Sequence, residues 1–506
     1  MGRHSFVLAL LAGALAACSA SFSPKTCTVD SDCGDNAVCD VRGSDTLCVD
    51  AASAPILLGQ SAPFSGVNAS LGTDMNNGIQ LAISEQNAKG GIRGRMLSIN
   101  ALDDGYDPIQ AQTNAMMLTD AIDTGEMPTN CPNTGSAVSN GATPTPMLIP
   151  VSVTALDRGS DGVLALVGSV GTPTAVRATP VATETHTLFY GAFTGAGTPL
   201  RDETAGPCQK YVFNVRASYA QEAMATVEYF MNNSVNVTTT TNIISFDQND
   251  TFGNAGYNGL VAAWQAVNMT TTTPTFQRFR YTRNDNTSVP TQAAAAEAYL
   301  ATIVPTSGTL DVGVLMTDVY SSGSQFIQLI RQWQYGSGGP ADKLRFHFSN
   351  ISFVDGNALA SDLKNAGTYT SPSGQEPYTT GVLVSNVVPN YLTNTAEIVT
   401  NYVKLAQAAG QPPGFTALEG YLSTNIFIQG LLNTAGPITP DTMIPALENL
   451  PNLSLGLGAT AGFSSTNHQY LDSVWGTTLN ADGTFADTYY WTVDTSSAPL
   501  GTFMSF

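Results

Sequence analysis

The tetrapeptide Gly171-Thr172-Pro173-Thr174 carries the most specific local chemistry in this chain. It follows VLALVGSV, a continuous apolar run typical of a buried strand, and it opens a helix over Thr174–Glu184. Threonine is a good N-cap, and proline in the first turn gives up an N–H that has no partner there. The free amides of such a turn, with the helix dipole, can receive a carboxylate. The hydroxyls of Thr172 and Thr174 add hydrogen-bonding groups, although an ordinary capped helix accounts for the same four residues. Ala192-Phe193-Thr194-Gly195 ends the next strand, HTLFYGAF, and brings Thr194 to the same crevice. Catalytic constellations are missing from the sequence. Its four histidines, His4, His186, His347 and His468, are isolated, and it has no HExxH, P-loop or GxSxG motif. Asp103-Asp104 reads as a solvated turn at a strand end, and Glu419 as a structural acid near helix N-terminal amides. The expectation is a binding protein, not an enzyme, with no cofactor and no metal.

The elements that must position these groups alternate in type. ILLGQS is a buried strand ending in a turn at Gly66. Asp74–Ala88 has helical spacing at Met75, Ile79, Ala82 and Ile83, and Gly90-Gly91 stops it. MLSINAL is the next strand, and Ile109–Ile122 the next helix. Strand, helix, strand is a βαβ unit and implies a parallel sheet, which holds ligands at the carboxyl ends of its strands. A second series follows Lys210–Arg216, with strands NIISFD, FQRFRYT, VGVLMT and LRFHFS. Its helices are Ala255–Val267, Thr291–Ile303 and Ser324–Trp333. GVLVSNVVP, helices Ala396–Ala409 and Leu418–Ala435, and a closing hairpin at Asp482-Gly483 complete the chain.

At 506 residues the chain is long enough for two or three domains, and 43% hydrophobic residues are enough to build their cores. The formal charge of −20 excludes the basic stripe that nucleic acid requires and disfavours docking on anionic lipid.

Several segments together resemble the periplasmic solute-binding proteins of the branched-chain amino acid receptor type. They are Pro63–Gly66, Asn87–Arg95, Asp103–Pro108, Val170–Thr174, Gly191–Ala196, Phe213–Glu222, Glu419–Tyr421 and Asn467–Gln469. Their order and spacing cover the chain from about Pro55 to its end. The resemblance implies two α/β Rossmann-like lobes, each a parallel sheet flanked by helices, joined by a three-strand hinge that closes on a ligand. It places lobe I at 55–212 plus 385–435 and lobe II at 213–384 plus 436–506. It implies ligand contacts at Leu71, Thr172, Thr174, Ala192 and Thr194 on lobe I, and at Tyr219, Phe252, Tyr320 and Ser352 on lobe II. Where receptors for α-amino acids commonly carry an acid for the ammonium group, this chain has Ser349-Asn350-Ile351-Ser352. An ammonium left unpaired in a closed site costs several kcal/mol, so amides, carboxylates and aromatic compounds enter the ligand class beside amino acids. Asp250, Asp318 and Asp355 lie nearby in sequence.

The N-terminus has the form of an export signal at residues 1–17: Arg3 and His4, then the apolar Ser5–Leu15, too short to span a bilayer. Leu15-Ala16-Ala17-Cys18 resembles a bacterial lipobox, which implies cleavage before Cys18 and a lipid on it; ordinary cleavage near Ala17 is the alternative. Residues 18–53 then form a tether and a small module. Cys27, Cys33, Cys39 and Cys48 are expected to form two disulfides of open connectivity, and Cys131 is expected to pair with Cys208. The cluster lacks the CxxC and His of a zinc site, and Asp30, Asp32, Asp35 and Asp40 lack EF-hand spacing.

The reading is a monomeric, lipid-anchored receptor of the bacterial cell envelope. It would capture a small amino acid, amide or carboxylate and deliver it to the permease of an ATP-driven importer. The alternative is a sensory or scaffold lipoprotein whose recognition module is the cysteine-rich segment and the insertion at 124–160.

Overall fold

The architecture comes from a computed structural model describing residues 25–42, 44–123, 153–155, 162–197, 200–201, 208–451, 453, 455, 457, 462–493 and 501–506. Cys18 and Cys131 lie outside these residues, and with them the expected lipid anchor, the expected signal segment and most of the 124–160 insertion. Cys208 is buried and disulfide-bonded. Among the described residues no helix is long and apolar enough to cross a membrane.

The cysteine-rich module is a hairpin of β1 (Ala37–Arg42) and β2 (Asp45–Asp50), stapled by Cys27–Cys39 and Cys33–Cys48. Three of its acids are engaged. Asp32 accepts from Thr28 and Val29, Asp30 pairs with Arg93, and Asp40 pairs with the buried Arg95. Arg95 also donates to Ala54 O. Arg93 and Arg95 precede the second strand of lobe I and Ala54 its first, so the module is fastened to the amino-terminal end of that sheet, away from the carboxyl ends.

Lobe I contains β3 (Ile56–Ala62), α1 (Ala69–Ala88), β4 (Leu97–Asp103) and α2 (Pro108–Thr119). The short pair β5 (Ala121–Asp123) and β6 (Val153–Ala155) follows, then β7 (Ala165–Val167), α3 (Thr172–Glu184), β8 (Leu188–Tyr190) and β9 (Val212–Phe213). The sheet order is β4-β3-β7-β8-β9, with every pairing parallel. The helix expected to reach Ile122 stops at Thr119. Asp120 takes a left-handed φ of 54°, and Ala121 starts a strand against Ala155.

Lobe II contains α4 (Tyr219–Asn232), β10 (Ile243–Gln248), α5 (Thr251–Val267), β11 (Gln277–Tyr281), α6 (Val289–Thr302), β12 (Leu310–Thr317) and α7 (Tyr320–Tyr335). Next come β13 (Leu344–Asn350), α8 (Gly356–Ala366), the hairpin β14 (Thr368–Ser371) and β15 (Gly374–Pro377), and β16 (Leu383–Asn386). The chain then adds α9 (Glu397–Ala408), α10 (Phe415–Asn433) and α11 (Pro440–Glu448), and ends with β17 (Val474–Leu479), β18 (Phe485–Val493) and β19 (Gly501–Ser505). The second sheet runs β11-β10-β12-β13-β16-β17-β18-β19, parallel as far as β16 and antiparallel beyond it.

Helix α10 packs along α1 in lobe I. The approach is close enough that a Cβ on Gly78 would stand 1.9 Å from Ala417 O, so only glycine fits there. Helix α11 also sits on lobe I: it packs on α10, and Asp441 receives the Tyr211 hydroxyl at 2.8 Å. The return to lobe II, expected at 436, comes only after Leu471. Before that, the segment from His468 to Leu471 runs beside Asn214 and Val215, so two crossings are hydrogen-bonded to each other. The third crossing leaves β16.

Candidate functional site

The carboxyl ends of β7 and β8 supply one wall of the space between the lobes. Gly171 caps α3 with φ 104°, and a Cβ there would meet the Tyr106 ring at 2.4 Å. This glycine lets Tyr106 lie against the start of the helix. The backbone ties the two loops together through Gly171 N to Phe193 O and Phe193 N to Ser169 O. Thr172 and Thr194 then place their hydroxyls 2.7 Å apart, both fully buried. Thr174 does not join them: its hydroxyl donates to the carbonyls of Val170 and Gly171, so its side chain finishes the turn. Ala192 contributes the carbonyl that receives Thr194 N and folds the loop back on itself.

Lobe II meets this wall directly. Ser218 caps α4, and Tyr219 N donates to Gly195 O at 2.7 Å. The Tyr219 ring lies 5.5 Å from Phe252, which in turn lies 4.6 Å from Phe353. Burial drives the Tyr219 phenol above its ordinary range, against the opposing pull of the Arg216 guanidinium. Thr194 approaches its hydroxyl, which nevertheless finds no partner of good hydrogen-bond geometry.

Beneath these groups lies a buried charged network. Arg216 is sandwiched between the Phe193 and Tyr219 rings, with its guanidinium carbon 4.9 and 5.7 Å from their centroids. It pairs with Glu222 at 3.1 Å, with Glu419 at 3.4 Å, and donates to Ser352 Oγ. Glu222 also receives Ser352 N, Ser352 Oγ and Ser385 Oγ. Burial penalises the Arg216 charge, but the two carboxylates outweigh this and hold it above its ordinary range. Burial pushes Glu419 up to about 7, with Arg216 opposing the rise. Glu419 stands inside α10 rather than at its first amides, and its role is this cross-lobe ion pair.

The rim is also shut. Tyr320 Oη donates to Val67 O at 2.6 Å, Asn68 to Asn284 at 2.7 Å, and Ser70 Oγ to Asp355 at 2.7 Å. Ser70 lies 3.3 Å from Asp74 as well, so one hydroxyl links carboxyl groups of both lobes. Leu71 is fully buried in the first turn of α1.

Thr172, Thr194, Tyr219, Phe252 and Ser352 therefore form one continuous cluster. Leu71 and Tyr320 lie toward the rim, and Ala192 and Thr174 support the loops. Arg216, Glu222, Phe193, Phe353 and Tyr106 complete the cluster without having been picked out as site residues in the sequence.

The other candidates have different roles. Asp103 is exposed and held low: burial works against its charge, but hydrogen bonds from Ser65, Phe64 and Gly105 prevail. Asp104, expected to be solvated, is buried under Ser61 and Tyr106 N, and burial raises it to about 7. Asp250 caps α5 and pairs with Arg283. Asp318 is fully buried with both carboxyl oxygens unpartnered, and its desolvation holds it well above the carboxylate range. His186 stacks on Tyr211, His347 pairs with Asp311, and His468 stacks on Phe213 and bonds Val212 O and Glu448.

Two α/β lobes shut over the carboxyl ends of their strands define a hinged solute receptor. The chain belongs to the periplasmic binding protein family, whose model matches residues 55–145 and 156–484. Its fold is similar to that of a possible leucine/isoleucine/valine-binding protein from Rhodopirellula baltica, with TM-score 0.67 and 27% identity over 87% of this chain and 97% of that one. It is also similar to the branched-chain amino acid transporter substrate-binding protein LivJ of Streptococcus pneumoniae in complex with isoleucine, with TM-score 0.58 and 14% identity over 86% and 98%. A shorter match, 39% identical over 57 residues, links it to Leu/Ile/Val-binding protein homolog 2 of Brucella abortus. That match spans 11% of this chain and 15% of the Brucella protein.

Proposed function

We propose that this chain captures a small amino acid, amide or carboxylate between its lobes and presents it to the permease of an ATP-driven importer, while Cys18 anchors it by lipid. The reading rests above all on the Thr172–Thr194 hydroxyl pair at the start of α3. Helix amides have no partner inside the first turn, and there they join two hydroxyls at a closing interface. The guest's polar head takes this position, and the Thr174 amide contributes while its hydroxyl stays in the turn. Tyr219, Phe252 and Ser352 form the facing wall. Leu71, Ala192 and Tyr320 border it. The Leu/Ile/Val receptors among its relatives and the isoleucine held by the pneumococcal protein favour a guest of that size. The absence of an acid at Ser349–Ser352 favours guests without an ammonium group.

The test is a thermal-shift screen of the full chain against amino acids, their amides and aromatic carboxylates. A binder at a hundredfold excess over its Kd stabilises the folded state by about 2.7 kcal/mol. At least one of these classes is expected to raise the melting temperature by several degrees. A flat response across all of them would sink the transport reading.

A further inference from the structure

Phe353 is the middle residue of the 3-10 turn Ser352–Val354 that follows β13, and it is fully buried where the two lobes meet. Lobe I flanks it with Phe193 at 4.9 Å and Tyr106 at 6.1 Å between ring centroids, and lobe II with Phe252 at 4.6 Å. Phe193 belongs to the same loop as Thr194, and Phe252 opens α5. The ring stands in the part of the buried apolar cluster that runs from one lobe to the other. It lies between the carboxyl ends of strands from both lobes, the region where parallel α/β sheets hold ligands. Two hydroxyls of the same walls, Tyr219 Oη and Ser169 Oγ, are buried with no partner of good hydrogen-bond geometry. The turn that carries the ring is pinned through Ser352 N and Oγ on Glu222, so the ring is presented from a fixed backbone.

We propose that Phe353 is an internal guest: its ring occupies the seat of the solute's apolar part in the free protein, holds the lobes together, and sets which solutes can enter. This rests on the ligand site described under the proposed function and makes it more specific. A hinge with a ring inserted must extract that ring to open, so the entry-competent state is a minor one. Apparent affinity then falls by the fraction of molecules that are competent. Solutes that fit a seat the size of a benzyl group and bring a carboxylate for the Thr172–Thr194 pair compete best with the ring. Removing the ring should both loosen the free protein and open the seat to an aryl carboxylate.

The experiment uses the full chain, its Phe353→Gly variant and its Phe353→Leu variant. Small-angle scattering reads the free lobes, and titration calorimetry uses phenylacetate, with acetate as a ringless control. The free native chain should scatter as compactly as the closed form, and Phe353→Gly should scatter more broadly. Phenylacetate should bind Phe353→Gly at least about tenfold tighter than the native chain, and its gain should exceed that of acetate, which profits only from the easier opening. Phe353→Leu, which keeps most of the apolar burial, should fall between them and serves as the readout if the glycine variant does not fold. Variants as compact as the native chain with the same phenylacetate affinity would show that Phe353 is packing alone and would overturn the proposal. If the scattering and affinity changes appear but Thr172→Val with Thr194→Val leaves phenylacetate binding to Phe353→Gly intact, Phe353 keeps its role and the threonine site fails.

Discussion

The two walls of the cleft are built by opposite means. The lobe I wall sets neutral hydroxyls and helix amides beside the rings of Phe193 and Tyr106, held by backbone bonds within two neighbouring loops. The lobe II wall is made of aromatic rings, braced by a buried arginine with Glu222 and, across the boundary, with Glu419 of lobe I. Neutral hydroxyls can change partners at little cost, so the first wall can exchange its hydrogen bonds. Buried charges that lose a partner are expensive, so the second wall is committed to structure. The same lobe boundary thus holds an adaptable face and a rigid one, and the rigid one carries the ring of Phe353 into the space between them.

Breaking the rigid wall should have the largest effect. Glu222→Ala strips partners from Arg216, Ser352 and Ser385 at once and leaves Glu419 as the carboxylate on Arg216; buried polar groups left unsatisfied cost about 1–3 kcal/mol each, so the loss is on the order of 3 kcal/mol. Urea unfolding should show a loss of that size, whereas a loss below about 1 kcal/mol would mean that the network does not brace the wall.

The next effect concerns pH. Burial, and then the nearby Asp74 charge, raise Asp355 to about 7 from 3.8. A carboxyl raised in this way favours the closed, folded state at low pH, and the benefit is lost as pH climbs from about 4 through about 7. The loss is on the order of 2–4 kcal/mol. Melting temperature should fall between pH 5 and pH 8. Asp104 and Glu419, also raised to about 7, add to the fall. The fall should be shallower in Asp355→Asn, and parallel curves for the two proteins would remove Asp355 from the account.

The smallest effect is at the rim. Tyr320→Phe deletes one partly exposed cross-lobe hydrogen bond, worth about 1 kcal/mol. Solute affinity should weaken only a few-fold, and a loss beyond tenfold would move Tyr320 from the rim into the grip.

The adaptable wall was the legible one. Gly171-Thr172-Pro173-Thr174 announces a capped helix within four residues, and buried parallel strands read as unbroken apolar runs. What escaped was set by distant partners. Ser352 and Glu222 are 130 residues apart, and neither suggests the other. Arg216 looks like a surface residue until Phe193, Tyr219 and two acids enclose it. Asp104 follows a strand and reads as solvated, yet Ser61 on the neighbouring strand draws it inside. Helix α11 carries no mark of its lobe, which is decided by Tyr211 and by α10.

The central claim is that a solute's polar head rests on Thr172 and Thr194 when the lobes close. Calorimetric titration of the best binder from the solute screen into the native chain and into Thr172→Val with Thr194→Val tests this most directly. The double variant should bind at least about tenfold more weakly, about 1.4 kcal/mol, while its ligand-free melting temperature stays within a few degrees of native. Equal affinity in a folded double variant would contradict the account.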